Sequence, residues 1–566
     1  MIKMKKLIVF IIGILGIISP MSSQTNDASP IPPYRVQYYE AYPPLKETAQ
    51  RLKISNYNSF ENPTGIYFEP GDEVVLTVGD TQGQQLALRV HSFEGEKSDH
   101  TYPLQLGENR LAIKNKGLGY INFFTSDWAK VAPVRIRIDG GKVNGYFDKK
   151  QHTDKEWKQL LEQAVCNILD IKGEYVNLAY RVSSLKKYCP EKGWELINYY
   201  DKIIDIQHEM MGLKKYNLRP KNHMFAREVQ SGLYADGYGA AFAYDCMNKL
   251  ASVENIHKGV WALAHEFGHV NQIRPGLKWV STTEVTNNIF SVWTRYLLEP
   301  GYQNLEQERV NDGDNNRVLG GRFNSYLNYG IVKGEQWLCQ RGQDKMKGYE
   351  NGGDHFVKLC PLWQLQLYYA VAGHGNYWGK PDWFADMAEI VRNTDEKGMD
   401  NGQLQLNFMR NMCDLVKEDL TDFFIKAGML KPIDKDMDDY SRAQLTITKK
   451  QCKELVKYAS RYPKPATPVL YYLTANSVKS YQRRLPVEGV YNGGLTFKEE
   501  TCTVSHDYWQ NVTVFETYKG KELTHVAMVG TDSPDRSTTL VRFPGGSTRI
   551  EAVAWDGTRT LVYGKR

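Results

Sequence analysis

His265, Glu266 and His269 stand in the stretch WALAHEFGHVNQ, residues 261–272, as H-E-x-x-H. On a helix, residues four apart share a face, so both imidazoles can reach one ion. Zinc takes nitrogen ligands at about 2.0–2.1 Å and prefers four partners. Glu266, next to the first ligand, can reach a water held by the metal and act as general base while that water attacks a carbonyl. Chance matches to this pattern in a chain of this composition number on the order of 0.01–0.02. Ile256, Val260, Leu263, Ala264, Phe267 and Val270 make the helix mostly apolar. Burying two histidines and an acid without partners is costly, and a metal supplies a partner.

The third ligand has to come from elsewhere. The metzincin pattern needs Gly at 272 and His at 275, and this chain has Gln272 and Pro275. Pro275 and Gly276 end the first helix, and WVSTTEVTNNIFSVWTRYLL, 279–298, opens another. Thr282 or Thr283 caps it in this reading, with Glu284 in its first turn as the candidate third ligand and Glu299 as the next choice. Asn288, four residues on, lies where a group would orient a metal-bound His through its other ring nitrogen.

The elements around the motif predict several domains, as the length of 566 residues also does. Residues 1–23 read as a secretory signal peptide: Lys3, Lys5 and Lys6, then an apolar run from Leu7 to Ile18 that is short for a span. Residues 24–59 read as a Pro-rich lead-in. Residues 60–150 alternate apolar and polar, as in GIYFEPGDEVVLTVGD, and predict an N-terminal β-sandwich. From 151 to 462 the spacing turns helical, including TDKEWKQLLEQAVCNILDI and EYVNLAYRVSSLKKYC, with HMFAREVQSGLYADGYGAAFAY strand-like. That predicts a mostly helical α+β catalytic domain. PKPATP, 463–468, reads as a linker before a C-terminal β-sandwich over 463–566.

Composition is that of a globular protein, with 42% hydrophobic and 24% charged residues, which excludes disorder as the main state. A net charge of +6 with no long basic run gives nucleic-acid binding no support. The eight cysteines are scattered without a C-x-x-C pair, which excludes a Cys-rich zinc module, and Cys166 and Cys189 lie 23 positions apart. No segment after the leader is long and apolar enough to span a membrane. The protein is expected to be exported, to the periplasm, cell surface or medium, and to act as a monomer.

WALAHEFGHVNQ followed by STTEVTNNI resembles the enhancin-like gluzincin metallopeptidases, whose bacterial members act on mucins and other O-glycosylated proteins. FAREVQSGLYADGYGAAF, 225–242, and DHFVKLCPLWQLQLYYAVAG, 354–373, carry the resemblance over residues 35 to 430. It implies one zinc on His265, His269 and Glu284, with Glu266 as base. It also implies that the strand upstream of the zinc helix edges the active-site sheet and that an extended substrate adds to it. Gly237, Tyr238 and Gly239 are then candidate substrate contacts, and Tyr238 and Tyr244 candidate oxyanion donors. Carbohydrate contacts on a glycoprotein substrate follow from the same resemblance. Trp363 and Gln364 read as core or cleft, and His374 as a loop residue. Two other readings stay open: a non-catalytic glycan-binding protein on a peptidase scaffold, and a peptidase with no glycan requirement.

Overall fold

A computed structural model describes residues 34–55, 57–94, 98–308, 310–311, 317–318, 320–337, 355–374 and 382–565. The expected signal peptide, and Asp354 of the DHF motif, lie outside them.

The N-terminal unit packs two antiparallel sheets. Its strands are β1 (Val36–Tyr39), β2 (Pro63–Phe68), β3 (Glu73–Val78), β4 (Leu86–Ser92), β5 (Ser98–Leu104), β6 (Gly107–Ala112), β7 (Gly117–Asn122), β8 (Val134–Asp139) and β9 (Lys142–Val143). One sheet runs β1-β8-β3-β6 and the other β5-β4-β7-β2-β9. Alternation explains the packing: in β3, Val74, Leu76 and Val78 point inward and meet Leu88, Val90 and Ile136. The lead-in is not a free linker. β1 pairs with β8, and α1 (Leu45–Leu52) follows it, seated through Ala49 and Leu52. A four-residue edge strand among prolines carries too little periodicity to be read from sequence.

The central unit is built on a six-stranded sheet. Its strands are β10 (Phe147–Asp148), β11 (Ile168–Lys172), β12 (Val176–Arg181), β13 (Met224–Val229), β14 (Leu233–Asp236) and β15 (Gly239–Ala243), in the order β10-β11-β12-β13-β15-β14. Two stretches read as helical are therefore partly strands. α2 (Asp154–Gln163), held by a Thr153 capping box, stops before β11, and β12 runs straight into α3 (Val182–Tyr188). Both strands are buried almost throughout, and an apolar run without alternation gives no signal that separates strand from helix. The sheet also starts at β10, short of the boundary expected at 150.

α4 (Gly193–Met210) and α6 (Val260–Asn271) pack on this sheet, α7 (Asn288–Leu298) packs on α6 and α4, and α5 (Met247–Leu250) on α3. The cores of the two units meet at Phe60, Tyr120, Ile168 and Phe225, where the Tyr120 hydroxyl donates to Asp170 at 2.8 and 3.0 Å. The C-terminal part holds sheets of order β-strand 495–498, 501–505, 538–542 and of 522–528, 514–519, 549–553, 559–564. Residues 463–468 do not act as a loose tether. Asp419 N–H donates to the Pro463 carbonyl, and Leu470, Tyr472, Val514, Val526 and Met528 share one core with the central unit. Asn324 and Asn328 bond the backbone of Met528 and Val526, which covers the edge of strand 522–528. No helix among the described residues is long and apolar enough to cross a membrane. The seven described cysteines are all free, so Cys166 and Cys189 do not pair.

Candidate active site

α6 buries Val260, Leu263, Ala264, Phe267 and Val270 and turns His265, Glu266 and His269 to a cleft of about 600 Å³. Gly268 lies against the chain that precedes α7. A Cβ there would stand 2.6 Å from the Asn287 carbonyl oxygen, so only glycine lets that turn come so close.

Glu284 lies on this turn and not in the helix. α7 begins at Asn288, and residues 283–287 form turns ahead of it. Backbone–backbone bonds and side chains fold the segment. Gln272 donates to the carbonyls of Thr282 and Thr283 at 3.1 and 3.2 Å and to Thr286 Oγ1 at 2.6 Å. Asp439 accepts from Thr283 N–H at 3.1 Å, and Asn288 donates to the Glu284 carbonyl at 2.8 Å.

The turn brings Glu284 Oε2 to 3.1 Å from His265 Nε2 and 3.3 Å from His269 Nε2, and the two Nε2 atoms are 3.2 Å apart. Three donors around a tetrahedral zinc at about 2.0–2.1 Å lie about 3.3–3.4 Å from one another. The triangle thus has the size that such an ion requires. Glu266 also comes near, within 4.8 Å of both histidines, yet its Oε1 stands 3.9 Å from His265 Nε2. Its Oε2 is buried without a hydrogen-bond partner. Glu284 is at ligand distance and Glu266 is set back from it.

Two second contacts complete the triangle. His265 Nδ1 lies 2.9 Å from Asn288 Oδ1, which leaves Nε2 toward the cleft. Tyr440 donates to Glu284 Oε1 at 2.5 Å, so one oxygen faces the histidines and the other the tyrosine. Tyr440 comes from the hairpin of strands Ile433–Asp438 and Arg442–Ile447, with a φ of 63° at its turn and its ring largely exposed. Burial would raise the pKa of Glu284, but hydrogen bonds from His265 and His269 outweigh it and hold the carboxylate well below its ordinary range. Burial pushes Glu266 up to about 7, the range in which a carboxylate can both take and return a proton.

The structure brings His265, Glu266, His269, Glu284 and Asn288 together. It separates the other candidates. β14 is the sheet edge and lines the cleft through Leu233, Tyr234, Ala235 and Asp236. Gly237, Tyr238 and Gly239, expected as substrate contacts, do not line it. Tyr238 packs on Phe60 and His91 of the N-terminal unit. Gly239, at φ 125°, lets β15 approach β13, since a Cβ would meet the Phe225 carbonyl at 2.3 Å. Gly237 is an open turn residue. Tyr244 sits over Arg181, away from the cleft. Trp363 and Gln364 are core, with Gln364 donating to the carbonyls of Tyr471 and Leu473. His374 is buried, stacked on Tyr368. Gln272, Asp439 and Tyr440 went unread in the sequence. Gln272 departs from the metzincin pattern within the motif's own flank; Tyr440 is 156 residues from Glu284, with nothing local to mark it.

Comparison with known proteins gives the site a context. A family model described as peptidase M60, enhancin and enhancin-like, matches residues 141–428, and one for the N-terminal domain of M60-like peptidases matches 43–137. The chain is 23% identical over 306 residues to TRPM8 channel-associated factor 3 of Rattus norvegicus, covering 50% of this chain and 32% of that protein. A TRPM8 channel-associated factor homolog of Danio rerio is 22% identical over 285 residues, 48% of this chain and 31% of that one. The chain thus spans about a third of the length of these curated relatives. Among solved structures, a metallopeptidase from Bacteroides thetaiotaomicron aligns with TM-score 0.72 and 23% identity over 93% of this chain and 90% of that one. A metallopeptidase in complex with Tn antigen gives 0.72 and 24% over 93% and 98%. The M60 catalytic domain of Clostridium perfringens ZmpC, in complex with the sialyl T antigen, gives 0.65 and 15% over 93% and 99%. At these identities the structural matches establish the fold.

Proposed function

Since the chain belongs to the peptidase M60, enhancin and enhancin-like family, we propose that it is a zinc endopeptidase acting on O-glycosylated, mucin-type proteins. The observation that carries this reading is the triangle of His265 Nε2, His269 Nε2 and Glu284 Oε2, with Glu266 set back beside it. His265, His269 and Glu284 would hold the ion. Bound there, zinc supplies Lewis acidity toward a carbonyl oxygen and a water.

The chain's own groups do the rest. Asn288 fixes the ring of His265. Glu266 takes the proton of the attacking water and passes it to the departing amine. Tyr440, which faces Glu284 and the charge of Glu266, turns its hydroxyl to the oxyanion as that charge develops. The exposed backbone edge of β14 pairs with an extended substrate, with Leu233 and Tyr234 under its side chains. Glycan on the substrate is supported by solved relatives that hold Tn antigen and sialyl T antigen. The leader read at residues 1–23 suits action outside the cytoplasm.

The test is incubation of the leaderless protein with an O-glycosylated mucin-type protein and with the same protein after deglycosylation, the cuts being located by mass spectrometry. Cuts beside glycosylated Ser or Thr, lost on deglycosylation, support the proposal. Cutting of both forms removes the glycan requirement. No cutting of either, with zinc bound, favours a binding protein.

A further inference from the structure

The wall of the cleft beyond His269 is cationic. Arg274 and Lys278 line it, together with Ser55 and Thr283. Trp261 and Phe356, in edge-to-face contact, also line the cleft. Arg274 is committed: it donates to Ser55 Oγ and, at 2.6 Å, to the His269 carbonyl, and its Nε is buried without a partner. Lys278 is half-buried and makes no ion pair among the described residues.

The acids that face Lys278 are Glu284 and Asp439. Both are engaged, Glu284 with the two histidines and Tyr440, and Asp439 with Thr283 N–H. Burial, and then the nearby charge of Arg274, lower the Lys278 pKa. Two cations share one wall of the cleft, the two acids that face Lys278 are already engaged, and an incoming anion relieves the repulsion between the cations. On an O-glycosylated peptide the small anions are carboxylates, either of an Asp or Glu side chain or of a terminal sialic acid.

We propose that Lys278, backed by Arg274, forms a carboxylate-binding subsite of the cleft and gives the enzyme a preference for acidic substrates. The proposal rests on the reading of this cleft as the substrate cleft of a peptidase. Lys278 is a specificity residue here, with no part in bond cleavage.

The experiment uses three matched O-glycopeptides: a neutral one, one with a Glu placed in turn at each position flanking the glycosylated residue, and one carrying the sialylated glycan. Binding is measured by calorimetry on the zinc-loaded Glu266→Ala protein and on the same protein with Lys278→Met or Lys278→Glu. Turnover of the same peptides is measured with Lys278→Met and Lys278→Glu in the active protein. The expected result is tighter binding of one acidic peptide than of the neutral one by about tenfold. Lys278→Met brings that ratio to about one, and Lys278→Glu inverts it. The arm that shows the preference tells side-chain carboxylate from sialic acid. Equal binding of all three peptides, or a ratio that Lys278→Met leaves unchanged, overturns the subsite. Charge discrimination in binding without any turnover keeps the subsite and overturns the peptidase reading, so the two fail separately.

Discussion

Asn288 holds His265 by a single contact of 2.9 Å and is itself tied to the Glu284 carbonyl, so one amide couples two ligands. Asn288→Ala is expected to weaken zinc binding about 10–100-fold in competition with a chelator, and Asn288→Asp to recover part of it, since a carboxylate accepts from the same ring nitrogen. Equal affinity of the alanine variant contradicts the role. Tyr440→Phe should lower kcat about 100-fold with little change in KM and full zinc content; a loss of zinc instead would make the tyrosine a support of Glu284 alone. The residues within one motif and its flank were legible from spacing: His265, Glu266, His269, Glu284 and Asn288 span 24 positions. Asp439 and Tyr440 were not, because a hairpin far along the chain sets their place.

At the scale of elements, the site depends on how closely the Glu284 turn lies against α6. Gly268→Ala puts a methyl into a 2.6 Å gap to the Asn287 carbonyl. The turn has to retreat, at a cost of about 1–3 kcal/mol in a urea melt, and zinc affinity should fall with it. A variant with wild-type stability and affinity would show that the turn adapts freely. The alternation of β3 and the helical spacing of α2 announced themselves in sequence. β11 and β12 did not, since strands buried on both faces lose the period of two that would identify them. The helix expected to begin at Thr282 or Thr283 begins at Asn288 instead, because Gln272 and Asp439 take the backbone groups of Thr282 and Thr283 and hold the segment as turns.

In the whole molecule the units are joined by packed contacts, and Tyr120 to Asp170 is a buried polar link between the N-terminal core and the six-stranded sheet. Burial pushes the Asp170 pKa from 3.8 up to about 7, against the hydrogen bond from Tyr120. Between those values the folded chain keeps a proton that the unfolded chain releases, so stability from this group falls as pH rises through the window. Asp170→Asn should flatten that decline by on the order of a few kcal/mol, read from denaturant melts between about pH 4 and pH 7.5; an unchanged slope would contradict it. The central claim joins all three scales, since the sheet, the turn and the hairpin meet at one triangle of ligand atoms. Its most direct test is titration of the metal-stripped protein with zinc while cleavage of an O-glycosylated protein is followed, beside Glu266→Ala. Activity rising to a plateau at one zinc per chain, with the variant binding the same zinc and cutting at least about 100-fold more slowly, is the predicted result. Cutting by Glu266→Ala at the wild-type rate, or by wild type without zinc, would contradict it.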